Sequence, residues 1–549
     1  MKYLELFDIN ALINRISRRN IMIIISTFVW GILCHGMIFF NIWPQHDNTH
    51  IFYGYSEAPF KIIAATAGGG RFVQGVIDVL FVPSVNTPWI SGAVMLMSCG
   101  IASCFLSSFF EIRTDLCAVL LALVVVSNPI VISSNCFSGN TISFSVCICL
   151  SCCAIYCFNK HKRFIFWILL FVVINTYASY LSVILAFYLI GELVQLFFVK
   201  EYDIKKHLKS IIELFVTSVI TLGFSYILNV YIAKCMSGKI QGRVEEVTAI
   251  RGRSFSEFLD FLCNKSFTCL RTIIDFYYSD LSYAPLYRVI MCVGVFVYVI
   301  MLFRWIWKND YISKGRTLMF AILIICLPYT MNYMTIIWNS HSLMWFAFIS
   351  PWIFIVVSGD WAFSVGNKES SNLNILFNAA VIICIATCVH WWTISNTAYT
   401  KLWANYHAGS ALANRIVDRI ENIDEYKKGE TPVLFVGDIR NSYSRDPYIQ
   451  DFLPLDYLIG VGAYHPTAFT YMQPFYIFIN EEMCSDMNII NKESVDMGMN
   501  ALLTDLRKYY PEVTMDEMDE YYDELESFPN NNCYEWVGDI LVFKVGTIN

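Results

Sequence analysis

Charge is scarce in this chain: 15% of its 549 residues are Asp, Glu, Lys or Arg, against roughly 25% in soluble domains. With 56% hydrophobic residues and a mean hydropathy of +0.51, that shortage excludes an ordinary soluble protein and points to a polytopic membrane protein. A basic stripe is also missing and the tail is acidic, which counts against nucleic acid as a partner. The formal net charge of -7 says little about the apolar part, because the acidic residues concentrate in the tail. No cleavable signal is evident, since the first apolar run is too long and lacks a small-residue cleavage site. Internal repeats, heptad runs and low-complexity stretches are lacking too.

Cysteine is plentiful, but ligand spacing is not. Cys147, Cys149, Cys152, Cys153 and Cys157 share one apolar run with no His or carboxylate, so they read as small apolar residues. No cofactor is expected, and the need for a divalent metal is left open. Cys484 with Cys533, or Cys263 with Cys269, could pair in an oxidising compartment.

What is abundant is long hydrophobic runs. A span needs about 20 apolar residues to cross a hydrocarbon core of about 30 Å. Runs at 20–43, 88–110, 115–133, 142–158, 210–233, 286–306, 317–337, 343–359 and 373–395 each suit one span. The run 164–198 is too long for one and holds Asn175, Tyr177, Ser179 and Tyr180 at its midpoint, so it divides into two short helices with a tight turn. About eleven spans result. Lys2, Arg15, Arg18 and Arg19 precede the first, and basic clusters recur at Lys160–Arg163, Lys200–Lys209 and Arg304–Arg316. Positive charge stays on the cytoplasmic side, so the N-terminus is expected inside, the loops 45–86 and 234–284 outside, and the tail outside.

Glu192 lies in an apolar run near its inner end, where it is either functional or snorkelled. Trp391 and Trp392 beside His390 read as an interfacial aromatic belt. The loop 234–284 contains a helical pattern, Ser254 with Glu257 forming a capping box before Phe255, Phe258, Leu259 and Leu262. That helix lies either on the membrane surface or against the bundle.

From about 398 the composition turns polar. The segment 404–426 looks helical, Pro432–Asp438 reads as a buried strand closed by a turn, and Asp539–Lys544 as another strand. The expected fold class is therefore mainly α: a polytopic transmembrane helical bundle over 1–397, followed by a soluble α/β extracytoplasmic domain over 398–549.

The chemistry-bearing residues gather in the loop 45–86. It opens Gln45-His46-Asp47-Asn48-Thr49-His50 and continues through Glu57 to Gly68-Gly69-Gly70-Arg71-Phe72. A carboxylate at the mouth of the first span is placed to meet a membrane-held and an aqueous substrate together. When sugar leaves from a lipid phosphate, the departing group is already a stable anion. One carboxylate acting as general base on the acceptor then suffices, whereas glycoside hydrolysis needs two. Asp47 is the candidate base. Arg71 follows three glycines that let backbone approach an anion, and its fork can hold phosphate oxygens; the Gly-Lys-Ser/Thr ending of a P-loop is missing. His46 and Glu57 are candidate substrate-binding residues, and Arg243 and Arg288, with Arg251 and Arg253, are candidates for further phosphate contacts. Asp78, amid Val76, Ile77, Val79 and Leu80, reads as a lesser candidate that caps or lines a short helix. His341 reads as a polar interface residue.

Asp47 early in a large first outer loop, with Gly70-Arg71-Phe72 later in it, resembles the bacterial serotype-converting O-antigen glucosyltransferases, polytopic enzymes of GT-C type. Asn48 stands where that family often has a second Asp, and Phe72 where it often has Trp. The resemblance implies inverting transfer of glucose from undecaprenyl-phosphate glucose to an O-antigen chain in the periplasm. It implies Asp47 as the base on the acceptor hydroxyl and Arg71 on the donor phosphate. Its implied partners are the polyprenyl-phosphate donor, the O-antigen glycan, the lipid bilayer, a donor synthase and a small flippase. The tail, with Trp403, Tyr406, Tyr443 and Tyr464, would help select the acceptor. The rival reading is a transporter or flippase of lipid-linked sugars without transferase chemistry, which would need ionisable residues facing the bundle interior.

Overall fold

The computed structural model describes residues 17–41, 59–81, 87–236, 255–282, 284–308, 313–337, 340–366, 371–437, 455, 457–458, 475–476, 478–490 and 524–546. The chain divides into two compact units, with a boundary between Asn396 and Thr397.

In the first unit, helix α1 (Arg18–Phe39) is started by Ser17, whose side chain accepts from the Asn20 amide at 3.2 Å. Two short helices follow, α2 (Pro59–Gly68) and α3 (Phe72–Phe81), and then α4 (Pro88–Phe109). Helices α5 (Asp115–Ser127) and α6 (Pro129–Cys136) form a pair bent by 42°. The bend has a local cause. Pro129 has no N–H for the ladder, and the Asn128 side chain caps the new helix by accepting from the Ile130 amide at 3.0 Å.

Next come α7 (Thr141–Asn159), α8 (Arg163–Tyr177), α9 (Leu181–Phe198), α10 (Ile204–Met236), α11 (Phe255–Ser282), α12 (Pro285–Lys308), α13 (Lys314–Met331), α14 (Ser350–Gly366) and α15 (Ser371–Glu421). Nine helical stretches among the described residues are long and apolar enough to cross a membrane, or ten with the bent pair as one span. The stretch Arg163–Phe198 counts there as one, but it folds back on itself. Phe166 and Tyr188 both pack on Phe158, at ring separations of 4.8 and 5.3 Å. A straight helix would hold those two residues about 33 Å apart. The reversal occurs where Tyr177 turns extended (φ -155°, ψ 99°) before a 3-10 turn at Ala178–Tyr180. The reversal falls where the polar midpoint of the run 164–198 predicts a division into two short helices.

Ion pairs and caps tie the Arg19 end of the bundle together. Arg19 meets Asp115 at 2.8 Å, and Arg316 donates to the carbonyls of Leu196 and Val199 at 3.0 and 2.8 Å. Asp360 is fully buried and accepts from the Arg113 and Thr114 amides at 2.7 and 2.8 Å and from the Thr114 hydroxyl at 2.6 Å.

The structure decides two open alternatives and corrects one expectation. Of the two readings of Glu192, snorkelling is excluded: it is buried, accepting from Tyr202 Oη at 3.0 Å and paired with His207 Nδ1 at 2.7 Å. Trp391 is no belt residue; it is fully buried, 4.9 Å from the Trp352 ring, while Trp392 is partly exposed and donates to the Leu33 carbonyl. No disulfide joins any of the nineteen cysteines; Cys533 and Cys269 are buried while Cys484 and Cys263 are exposed. Helix α11 packs against the bundle through Cys269, Ile273, Phe276 and Asp280, a stripe at i, i+4, i+7 and i+11, while Phe267, Ile274 and Tyr278 stay exposed.

The second unit is a small α/β body. Helix α15 runs unbroken as far as Glu421, so no helix break marks the change in composition near 398. Strands β1 (Pro432–Val436), β2 (Asn488–Ile489), β3 (Tyr534–Val537) and β4 (Ile540–Lys544) form one sheet in the order β2-β1-β4-β3. Strand β1 is parallel to β2 and β4, and β3 is antiparallel to β4. Leu412, Ile416 and Ile420 from the end of α15 cover Val433, Phe435, Leu541 and Phe543. Tyr406 packs against this core, whereas Trp403 is exposed. Tyr443 and Tyr464 lie outside the described residues.

Candidate active site

Helices α2 and α3 form a hairpin whose arms, ten residues each, are about 15 Å long, half the thickness of a hydrocarbon core. Neither crosses. The turn is a glycine cap: Gly70 has φ +79°, the Gly70 amide reaches the Ala67 carbonyl at 2.8 Å, and the Arg71 amide reaches Thr66 at 2.8 Å. Only glycine takes that left-handed conformation without strain. At Gly75 the arms touch so closely that a Cβ would lie 2.8 Å from the Ile63 Cα. The Phe72 amide donates to Asn229 Oδ1 of α10 at 3.0 Å, and Asn229 donates to Asn175 Oδ1 of α8 at 2.6 Å. The glycine turn is thereby fixed to two membrane helices.

Arg71, Gln74 and Asp78 are spaced i, i+3 and i+7 and so share one face of α3. The Arg71 guanidinium lies 5.6 Å from the Tyr177 ring. Gln74 Nε2 donates to Asn140 Oδ1 at 2.7 Å, and the Ser143 hydroxyl donates to Asp78 Oδ1 at 2.8 Å. Asp78 is 7% exposed. Burial pushes its carboxyl up to about 7, against the opposing pull of the Ser143 hydrogen bond and the Arg71 charge. A buried carboxyl raised in this way beside a guanidinium marks a candidate functional site. The spacing of Arg71, Gln74 and Asp78 on an apolar helix was the available signal for it. Reading Asp78 as a residue that merely caps or lines a helix missed its coupling to Arg71.

Behind this face lies a layer of buried polar side chains. Ser133 and Ser342 share a hydrogen bond at 2.8 Å, and Thr141 donates to the Ser134 carbonyl at 3.1 Å. Gln74 Oε1, Asn128 Nδ2 and Ser179 Oγ are buried with no protein hydrogen bond among the described residues. Each such atom costs about 1–3 kcal/mol unless something else meets it.

The expected site residues fare unequally. Asp47, His46, Glu57 and Arg243 lie outside the described residues, as do Arg251, Arg253 and Ser254. Arg288 is exposed on the first turn of α12. Its neighbour Tyr287 stacks on His390 at 3.7 Å, and His390 Nε2 lies 3.3 Å from the buried Asp280 carboxylate. That pairing was not read from the sequence; 110 residues separate its partners. His341 precedes the turn Ser342–Met344 and is half-buried. Among the described residues no group of three or more His, Cys, Asp or Glu is arranged to hold a metal ion.

Residues 36–352 match the family model of glucosyl transferase GtrII. The match covers the hairpin, its partners on α7, α8 and α10, and the polar layer. No curated protein and no solved structure matches the chain. More than half of the 549 residues lie within the family match, and a membrane-embedded helical bundle carries them: the chain belongs to the GtrII glucosyl transferase family, the serotype-converting glucosyltransferases.

Proposed function

We propose that this glucosyltransferase takes glucose from a polyprenyl-phosphate donor and transfers it, with inversion, to an O-antigen or related surface glycan. The reaction is placed at the periplasmic face of the bacterial inner membrane, with the N-terminus in the cytoplasm. The observation that carries this reading is the position of Arg71: a guanidinium at a glycine turn, in a hairpin too short to cross, beside a buried carboxylate. Such a turn presents cation and backbone together to a phosphate held at the membrane.

Asp47 serves as general base on the acceptor hydroxyl. The leaving polyprenyl phosphate is already an anion and needs no acid. Inversion follows from a single displacement at the anomeric carbon: the acceptor oxygen bonds to it as the bond to the phosphate oxygen breaks, and the hydroxyl proton passes to Asp47. His46, Glu57, Arg243 and Arg288 are further substrate contacts in this reading. The tail contributes to acceptor choice, and a donor synthase and a small flippase supply the lipid-linked glucose.

The test uses the full chain in lipid nanodiscs with polyprenyl-phosphate glucose and a lipid-linked O-antigen acceptor. The wild type should release polyprenyl phosphate and form a glycoside of opposite anomeric configuration. Asp47→Asn should lower the rate by about 10² to 10⁴. Transfer from a nucleotide sugar instead, retention of configuration, or near wild-type turnover by Asp47→Asn would each defeat the corresponding part.

A further inference from the structure

We infer that the polar residues behind Arg71, namely Gln74, Asp78 and Ser143 on one side and Tyr177, Ser179 and Tyr180 on the other, form the subsite that takes the pyranose ring of the donor. This rests on the reading of Arg71 as the residue that holds the donor phosphate.

Ring contacts join the two sides. Arg71 lies 5.6 Å from the Tyr177 ring. Phe144, next in sequence to Ser143, packs edge-on against Tyr177 at 5.0 Å, and Tyr177 is 6.1 Å from Tyr180. Around this aromatic centre, Gln74 Oε1 and Ser179 Oγ have no protein hydrogen bond among the described residues, and their residues are 3% and 2% exposed. Tyr180, 1% exposed, has the Ser134 hydroxyl as a side-chain hydrogen-bond partner, and Ser134 itself donates to the Ile130 carbonyl at 3.1 Å.

The chemistry selects among the three parts of the donor. A phosphate is repelled by the Asp78 carboxylate and belongs at Arg71. A polyprenyl chain gains nothing from an amide, two hydroxyls and a carboxylate that it cannot hydrogen-bond. A neutral polyol fits both constraints. Its hydroxyls each donate and accept, a carboxylate accepts from them while still holding Ser143, and aromatic rings offer faces to the C–H side of a pyranose. The phosphate then sits toward Arg71 and the ring toward Asp78 and Tyr180, which makes these residues the ones that set hexose choice.

Tyr180→Phe is the sharp variant, because it deletes one buried oxygen and little volume. If that oxygen meets only Ser134, its removal leaves transfer unchanged and costs the fold no more than that one hydrogen bond. If it meets a sugar hydroxyl, transfer falls while the fold stays stable. In nanodiscs, binding of polyprenyl phosphate and of polyprenyl-phosphate glucose is measured for wild type, Tyr180→Phe and Arg71→Ala. The wild type should bind the glucosylated lipid at least fivefold more tightly. Tyr180→Phe should lose that difference and keep the affinity for polyprenyl phosphate. Arg71→Ala should weaken both lipids, and failure there counts against the phosphate reading, not the sugar subsite.

In transfer assays, Tyr180→Phe and Ser179→Ala should lower kcat/KM for the glucose donor at least tenfold, narrow the preference for glucose over its galactose epimer, and leave the melting temperature unchanged or higher. Three results overturn the proposal: kcat/KM within twofold of wild type in both variants, a change confined to the KM of the glycan acceptor, or a loss matched by a lower melting temperature in both.

Discussion

The Ser143 hydroxyl donates to Asp78 Oδ1 at 2.8 Å, pinning a ten-residue helix to a membrane-spanning one. The same carboxylate feels the Arg71 charge. One contact thus fixes the hairpin's position and sets the electrostatics of its polar face.

The Asp78 carboxyl is raised to about 7 from an ordinary 3.8. The native state therefore holds this proton more tightly than the unfolded chain, and stability falls as pH rises from about 4 to about 7, then levels off. Asp78→Asn, neutral throughout, removes that loss. Its melting temperature should exceed that of the wild type above pH 7 and converge with it near pH 4, as thermal scans across that range would record. A wild-type curve parallel to that of the variant would show an ordinary carboxyl.

Asp360 accepts three hydrogen bonds at the start of α5 while fully buried. Asp360→Ala leaves two amides and a hydroxyl without their acceptor. The expected cost is about 3 kcal/mol, visible as a clear drop in melting temperature and in yield of monodisperse protein. Asp360→Asn, which keeps an acceptor oxygen, should fall between.

The two glycines of the hairpin should answer differently to alanine. At Gly70 nothing lies within 4 Å of the added Cβ, and only the φ of +79° is strained, a cost of about 1–2 kcal/mol. At Gly75 the Cβ would sit 2.1 Å from Thr66 Oγ1 and 2.8 Å from the Ile63 Cα, so the arms must part. Glucose transfer should therefore suffer at least tenfold more in Gly75→Ala than in Gly70→Ala, with both expressed and folded.

In the second unit, Gly437 has φ +91° and a Cβ there would lie 1.8 Å from the Gly546 carbonyl oxygen. Gly437→Ala must push apart the ends of β1 and β4. Limited proteolysis should cut the tail of this variant at protease levels that spare the wild type, while the fragment carrying the bundle persists.

Several features were legible in the residues alone. Crossing segments are set by how many consecutive apolar side chains match the bilayer, a property of each run by itself. The turn at Asn175–Tyr180 was visible for the same reason, since 36 apolar residues exceed one crossing. Strand β1 announced itself as an apolar run ended by Gly437, whereas the hairpin of two short helices on either side of Gly70 was not read from the loop 45–86.

Tertiary structure decided the rest, because partners of buried polar groups lie far apart along the chain. Ser143 is 65 residues from Asp78, His390 is 110 from Asp280, and Arg113 is 247 from Asp360. A local reading placed Trp391 in an interfacial belt and left Glu192 either functional or snorkelled, whereas neighbouring helices bury both. Sequence alone determined that this chain is a polytopic helical protein and which runs are long and apolar enough to cross a membrane. Which hydroxyl holds Asp78, and which membrane helices hold the glycine turn, depended on helices meeting in space, for no pattern along one helix encodes what its neighbour will present.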